Sequence, residues 1–154
     1  MNVSKYMLPL FFPLQFNSYI GFIMVNFWDT IIHFKYTEFD SPDDVLSGLN
    51  MNHYLIRILD CMRDIMQLPF IINSGFRTAS HNQKINGRNN SAHLKGLAVD
   101  IKSLSNRFNF TLIELCISLK ISRIGIYESH IHIDCDYSLP HPLIWWGKPY
   151  QPPH

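Results

Sequence analysis

Three segments of the chain carry residue types that could do chemistry. They are SGFRTASHN at residues 74–82, SAHLKGLAVD at residues 91–100 and ESHIHIDCD at residues 128–136. In the second segment, Asp100 follows His93 by seven positions and stands inside the apolar run LAVDI. A buried carboxylate is costly unless it is paired, hydrogen-bonded or bound to a metal. Asp100 therefore either caps a turn structurally or belongs to a polar site.

The third segment has a polar and an apolar face if it is extended, because side chains alternate along a strand. The polar face then carries two imidazoles and three carboxylates, those of Glu128, His130, His132, Asp134 and Asp136. The opposite face is typical of a core and carries Ser129, Ile131, Ile133 and Cys135. A face that is merely solvated would more often carry Lys, Thr or Ser, so the polar face indicates a site.

Together, the second and third segments predict a metal site. His93, Asp100 and either His130 or His132 supply two imidazoles and a carboxylate, a donor set that zinc uses in catalytic sites. Cys135 points away, which disfavours a closed structural zinc site rich in thiolates. An open fourth position would hold a water whose pKa zinc lowers to roughly 7. A nearby carboxylate could accept the proton of that water and pass it to a leaving amine.

Two helices are expected among the elements that position these segments. Apolar residues at steps of four and three predict a helix within residues 49–66. Its buried stripe would comprise Met51, Leu55, Ile58, Met62 and Ile65. A second helix is capped by Ser103 or Ser105 and runs to about Leu119.

Short strands are expected at residues 70–73, 97–101, 123–127 and 130–136. The fold class is therefore α+β: a small, mainly antiparallel sheet carries the zinc site, and helices pack on its other side. The segment from Tyr137 is rich in Pro and aromatic residues and is expected to wrap the surface. For Trp145 and Trp146, a packing patch is favoured over a glycan platform.

Composition limits the class of protein. The chain has 154 residues, which favours one domain. A formal net charge of +1 argues against nucleic acid as a partner, since phosphate binding needs a basic excess. Three cysteines match neither a disulfide framework nor a thiolate zinc finger.

The chain divides into an apolar N-terminal segment at residues 1–33, the site-bearing domain at 34–139 and a Pro-rich and aromatic tail at 140–154. The apolar stretch at 6–28 leaves three interpretations open. It is a membrane or signal segment, an upstream extension before a true start at Met24, or part of the fold. Prolines within it argue against a spanning helix.

The motifs of these segments resemble the zinc D-alanyl-D-alanine peptidases. The resemblance rests on SGFRT, on S-x-H-x-x-G-x-A-x-D at residues 91–100 and on His132 followed by Ile-Asp, and it runs from about Tyr36 to Asp136. That family includes D,D-dipeptidases, D,D-carboxypeptidases and phage murein peptidases, and the Hedgehog signalling domain shares its fold and metal site.

The resemblance implies a zinc metallopeptidase with one Zn²⁺. Its substrate would be a peptidoglycan stem peptide, cut at a D-Ala-containing bond as a carboxypeptidase or an endopeptidase. Such a protein would act at the bacterial cell wall, either phage-encoded or exported, and is expected to be a monomer. The alternative is a non-catalytic, zinc-stabilised binding module of Hedgehog type.

Residue roles follow from the same resemblance. His93, Asp100 and His132 match the metal ligands. Arg77 matches the arginine that binds substrate and stabilises charge on the scissile carbonyl, a role that suits a fixed cation. Ser91 is expected to shape the ligand turn and contribute to substrate binding.

The general base is where the sequence departs from the family pattern. Ser129 stands at the position, three residues before the last ligand, where the family has Glu or Asp. The string YES…HIHID also resembles the Hedgehog segment, with a shorter spacer. Glu128 is therefore expected to be the base, with His130 as a second polar group near the water. Asp134 could serve instead, or could orient His132.

Overall fold

A five-stranded sheet forms the centre of the protein, whose computed structural model describes residues 26–147. The strands are β1 (Ile72–Ser74), β2 (Ala98–Lys102), β3 (Arg123–Ile126), β4 (His130–Asp134) and β5 (Leu143–Trp146). Their order across the sheet is β1-β2-β4-β3-β5. All neighbours are antiparallel except β5, which runs parallel to β3. The predicted α+β class with a mostly antiparallel sheet is confirmed.

Within the described residues, three α-helices accompany the sheet: α1 (His53–Met66), α2 (Ala79–Lys84) and α3 (Asn106–Ser118). The Ser105 hydroxyl caps α3 by accepting a hydrogen bond from the backbone N–H of Phe108 at 3.1 Å. Of the two caps that the sequence allowed, Ser105 is the one that forms. Phe108, Leu112 and Cys116 of α3 face the core.

Helix α1 differs from its prediction at both its start and its buried face. It begins at His53 because the Asn52 side chain accepts a hydrogen bond from the Leu55 N–H at 3.1 Å. Residues Ser47–Asn50 form a separate 3₁₀ turn. The buried face consists of Leu55, Ile56, Leu59 and Met62. Ile65, placed in the stripe from its spacing, is 56% exposed.

The sheet has one face in the core and one face that carries the polar site. Val99 and Ile101 of β2 pack with Ile131 and Ile133 of β4 and with the buried residues of α1 and α3. The residues that alternate with them include Asp100 and His132, which are directly opposite each other in the β2–β4 register. Pleating therefore places the polar side chains away from the helices.

The C-terminal segment was expected to wrap the surface, and this expectation is wrong for residues 143–146. They form β5, held by hydrogen bonds from Leu143 N to Ser122 O and from Gly147 N to Ile126 O, both 2.7 Å. Pairing of this strand with β3 depends on contacts distant in sequence, which local composition does not reveal.

No helix within residues 26–147 is long and apolar enough to cross a membrane. Residues 6–25 of the N-terminal stretch at 6–28 lie outside the described part of the chain, so its three interpretations stay open.

The packing of α1 predicts unequal effects for two aliphatic positions. Leu59→Ala removes a fully buried side chain and is expected to lower the free energy of unfolding by about 2–5 kcal/mol. Ile65→Ala removes an exposed side chain and should change it by less than about 0.5 kcal/mol. Urea unfolding of both variants measures the difference. Equal losses would contradict the assignment of the buried face.

Candidate metal centre

His93 lies on a 3₁₀ turn, Ala92–Lys95, that precedes β2. The turn ends at Gly96, whose φ of +66° suits glycine. A Cβ at this position would also lie 2.2 Å from the carbonyl oxygen of Asn50. The His93 side chain is buried, and its Nδ1 donates to the Gly75 carbonyl oxygen at 2.7 Å. A carbonyl can only accept, so Nε2 is left with a lone pair.

Asp100 on β2 and His132 on β4 both lie next to His93 Nε2. Asp100 Oδ1 lies 2.8 Å from His132 Nδ1 and 3.3 Å from His93 Nε2. The two ring nitrogens are 3.2 Å apart. The three side chains predicted as metal ligands are thus brought together, and they form a group that could hold a metal ion.

The spacing of these three atoms fits a tetrahedral zinc ion. Bonds of roughly 2.0–2.1 Å in a tetrahedron place neighbouring ligand atoms about 3.3 Å apart. The observed separations of 2.8, 3.2 and 3.3 Å lie close to that value. Donor chemistry agrees as well, since two imidazoles and one carboxylate leave a position for water or substrate.

His132 lies between two carboxylates. Its Nε2 is 3.1 Å from Asp134 Oδ2, while its Nδ1 faces Asp100. Burial alone would lower the pKa of His132, but the hydrogen bonds to Asp100 and Asp134 outweigh burial and raise it. The cluster therefore favours a positive charge at this point, which a proton or a metal ion can supply. With Asp134 accepting the Nε2 proton, Nδ1 is the ligand atom.

The Asp100 carboxylate is kept ionised despite its burial. Burial would raise its pKa, but hydrogen bonds with His132 and His93 hold it far below its usual range. Its second oxygen, Oδ2, accepts a hydrogen bond from Arg77 Nη2 at 2.7 Å. The two oxygens therefore face different partners, because Oδ1 points to the imidazoles and Oδ2 points to the guanidinium.

Arg77 is held on the cluster from two sides. Its Nε donates to Ser74 Oγ at 2.8 Å, and its backbone N–H donates to the His93 carbonyl at 3.1 Å. Burial is the main reason why the pKa of Arg77 is lowered, although Asp100 opposes this effect. The guanidinium therefore stands as a fixed cation beside the ligand cluster.

A third imidazole lies next to the cluster. His130 Nε2 is 3.7 Å from Asp100 Oδ1, and its Nδ1 is 2.9 Å from Ser129 Oγ. The ring stacks on Tyr127 with centroids 4.4 Å apart and planes 9° apart. His130 therefore lies beside the candidate ligand Asp100. Its predicted role as a second polar group near the water stays a prediction.

Glu128 does not join the cluster. The strand predicted at residues 130–136 begins as expected but ends two residues early, since β4 spans only His130–Asp134. The condition that all of residues 128–136 are extended is therefore not met. Tyr127 N donates to His130 O at 3.0 Å, so Glu128 and Ser129 form the two-residue turn between β3 and β4. The Glu128 side chain is exposed and has no hydrogen bond or ion pair with any residue in 26–147.

Asp136 also leaves the polar face, because it lies beyond β4. Its Oδ2 accepts a hydrogen bond from Lys95 Nζ at 2.7 Å, and its Oδ1 accepts one from Ser138 Oγ at 2.5 Å. Burial would raise the pKa of Asp136, but the hydrogen bonds from Lys95 and Ser138 outweigh burial and lower it. Asp136 therefore ties the His93 turn to the end of the sheet.

A cleft of about 360 Å³ opens beside the cluster. Its charged and titratable lining residues are Glu38, Asp40, Arg77, His81, Asp100 and His130. Ser91, predicted to contribute to substrate binding, is the N-cap of the His93 turn and is not part of this lining. The Ser91 side chain makes no capping hydrogen bond at that turn, so its roles in shaping the turn and in substrate contact both stay predictions.

Three residues around the site were not expected there from the sequence: Arg123, Tyr127 and Trp145, the last of which was expected only in a packing patch. Arg123 is 7% exposed and its Nε donates to Asp134 Oδ1 at 2.7 Å. Arg123 begins the otherwise apolar predicted strand RIGIY, and a charged residue in a strand expected to be buried is a signal that could have found it. Tyr127 and Trp145 carry no such signal, because aromatic residues are ordinary in strands.

The fold and the cluster define an α+β protein with a candidate His₂Asp metal centre. A family model of peptidase M15 matches residues 32–136, more than half of the chain. The chain belongs to the peptidase M15 family, whose members are zinc-dependent metallopeptidases. The resemblance stated from SGFRT and residues 91–100 is thereby confirmed. No curated protein matches the chain.

The cluster predicts a specific loss of metal affinity. Asp100→Asn keeps the shape of the side chain but removes its charge. Zinc affinity should fall more than about 100-fold, because loss of a ligand costs more than loss of a residue that only hydrogen-bonds to a ligand. His81→Ala alters an imidazole of the same cleft outside the cluster and should leave the affinity unchanged. Competition with a chromogenic chelator measures both variants. Parent-like affinity in Asp100→Asn would exclude this site.

Proposed function

We propose that this protein is a zinc-dependent peptidase that hydrolyses peptidoglycan stem peptides at a D-Ala-containing bond, at the bacterial cell wall. The supporting observation is the convergence of His93, Asp100 and His132 within 3.3 Å of one another beside an open cleft. Membership of the peptidase M15 family supports peptide hydrolysis. The substrate and the bond come from the resemblance of the motifs to D-alanyl-D-alanine peptidases.

Three atoms would hold the metal: His93 Nε2, Asp100 Oδ1 and His132 Nδ1. When bound, zinc supplies Lewis acidity, which makes water a competent nucleophile near neutral pH. The protein keeps each ligand in one orientation, through the Gly75 carbonyl for His93, Arg77 for Asp100 and Asp134 for His132. Such outer hydrogen bonds fix the tautomer of each imidazole and raise its basicity.

Arg77 binds the substrate oxygen in this proposal. Its Nε and Nη2 are occupied by Ser74 and Asp100, whereas Nη1 makes no hydrogen bond with a described residue. The side chain lines the cleft, so Nη1 can donate to a carbonyl or a terminal carboxylate of a bound peptide. A rigid cation directed at a developing oxyanion lowers the barrier for attack on the carbonyl.

His130 is the residue best placed to move the proton. Its Nε2 faces the cluster at 3.7 Å from Asp100 Oδ1, and the side chain lines the cleft. It would accept a proton from the attacking water and deliver it to the leaving amine. Asp134 is less suited, since its two oxygens already serve Arg123 and His132. Glu128, preferred from the sequence, is exposed in the β3–β4 turn.

The first test is turnover. Protein loaded with one equivalent of zinc should release D-Ala from muropeptides if it is a carboxypeptidase, or split cross-linked dimers if it is an endopeptidase. Mass spectrometry distinguishes the two products. A chelator should abolish the reaction and added zinc should restore it. Tight zinc binding without any product would instead support the non-catalytic binding module.

The second test separates the two candidate proton acceptors. His130→Gln should lower kcat by about 10²–10⁴-fold, the usual contribution of general acid–base catalysis. Glu128→Gln changes an exposed turn residue and should stay within about twofold of the parent, because charges at exposed positions interact weakly. Steady-state kinetics on one muropeptide measures both. A large loss in Glu128→Gln with little change in His130→Gln would assign the base to Glu128.

A further inference from the structure

Strand β5 lies beyond the residues that match the family, 32–136, yet it reaches the metal cluster. Its Trp145 packs against His132, with ring centroids 5.4 Å apart. The indole Nε1 donates to the Tyr127 hydroxyl at 3.1 Å. The guanidinium carbon of Arg123 lies 5.3 Å from the centre of the Trp145 ring, within the range of a cation–π contact.

These contacts lead to both imidazoles on β4 by separate routes. On one side, Trp145 holds the Tyr127 hydroxyl, and the Tyr127 ring stacks on His130 with planes 9° apart. On the other side, Arg123 packs on Trp145 and donates to Asp134, which faces His132 Nε2. The Trp145 indole therefore contacts the candidate ligand His132 directly. It also contacts Tyr127, which stacks on His130, and Arg123, which holds the Asp134 that faces His132.

Gly125 and Gly147 leave space for the Trp145 and Tyr127 rings because they have no side chains. A Cβ on Gly125 would lie 2.7–2.8 Å from three atoms of the Trp145 ring. A Cβ on Gly147 would lie 2.0 Å from Tyr127 Cδ1. Each aromatic ring thus packs directly over a glycine, Trp145 over Gly125 of β3 and Tyr127 over Gly147 just after β5, and a side chain at either glycine would displace the ring.

We propose that Trp145 is a positioning residue of the metal centre: by packing on His132 and Arg123 and by holding Tyr127, it sets the orientation of His132 and His130. Ligand rings must be held within about 0.5 Å and 10–20° for a working site. The rigid indole of Trp145, in contact with His132, Arg123 and Tyr127, restrains the two histidine rings more firmly than a flexible aliphatic side chain would. The inference rests on the proposed metal site and deepens it by adding β5.

The test compares two adjacent tryptophans of the same strand. Trp145→Leu keeps apolar bulk but removes the ring and the N–H donor, and zinc affinity should fall about 10–100-fold, as for other outer partners of metal ligands. Trp146→Leu changes a side chain that is 69% exposed and should bind zinc like the parent. Affinities come from chelator competition, and the visible spectrum of the Co²⁺-loaded proteins reports ligand geometry.

A third variant keeps the proposal testable if Trp145→Leu folds poorly. Trp145→Phe retains a ring beside His132 and Arg123 but loses the donor to Tyr127. Its affinity should lie between those of the parent and Trp145→Leu, with an altered Co²⁺ spectrum and an unfolding midpoint near that of the parent. On muropeptides it should lower kcat while KM stays within about twofold, as expected when an interaction matters chiefly in the transition state.

Parent-like zinc affinity and Co²⁺ spectra in both Trp145 variants would overturn the proposal. Equal losses in Trp145→Leu and Trp146→Leu would also overturn it, because they would show a general effect of β5. The metal readouts need no substrate. A parent that binds zinc but cleaves nothing would refute the peptidase proposal and leave the role of Trp145 testable.

Discussion

The rest of the site depends on one buried carboxylate. Asp100 lies on a central strand, where it would be unstable without compensation, and it is surrounded by His93, His132 and Arg77. One of its oxygens faces the imidazoles and the other faces the guanidinium. Removing either set of partners leaves a buried charge uncompensated, which costs far more than an ordinary contact. The cluster is therefore a unit rather than a collection of separate ligands.

Strand register makes that unit possible. Asp100 is opposite His132 in the β2–β4 pairing, and Ile101 is opposite Ile131. A shift of one residue would exchange the polar and apolar faces, so the hydrophobic core that holds α1 and α3 also enforces the position of the ligands. His93 comes from outside the sheet, on a turn that Gly96 ends in the left-handed conformation.

Support for the ligands extends well beyond the atoms that would touch a metal. Asp134 orients His132, Arg123 holds Asp134, and Trp145 packs on both His132 and Arg123. The last of these residues lies outside the region that defines the family match. In this chain the candidate metal centre thus contacts a C-terminal strand that pairs in parallel with β3 at the edge of the sheet.

The local sequence by itself determined which face of the β4 segment is polar and that the chain carries a charged site. Alternation in the HIHID segment separates a polar from a core face, and an Asp within LAVDI and a nearby His indicate a charged site; these signals need no knowledge of the fold. Only the tertiary structure decided that Glu128 lies in a turn, that Leu59 rather than Ile65 is buried, and that Trp145 reaches the cluster. Turn placement, helix rotation and parallel strand pairing are decided by contacts between segments distant in sequence. Periodicity within one segment carries no information about its partner.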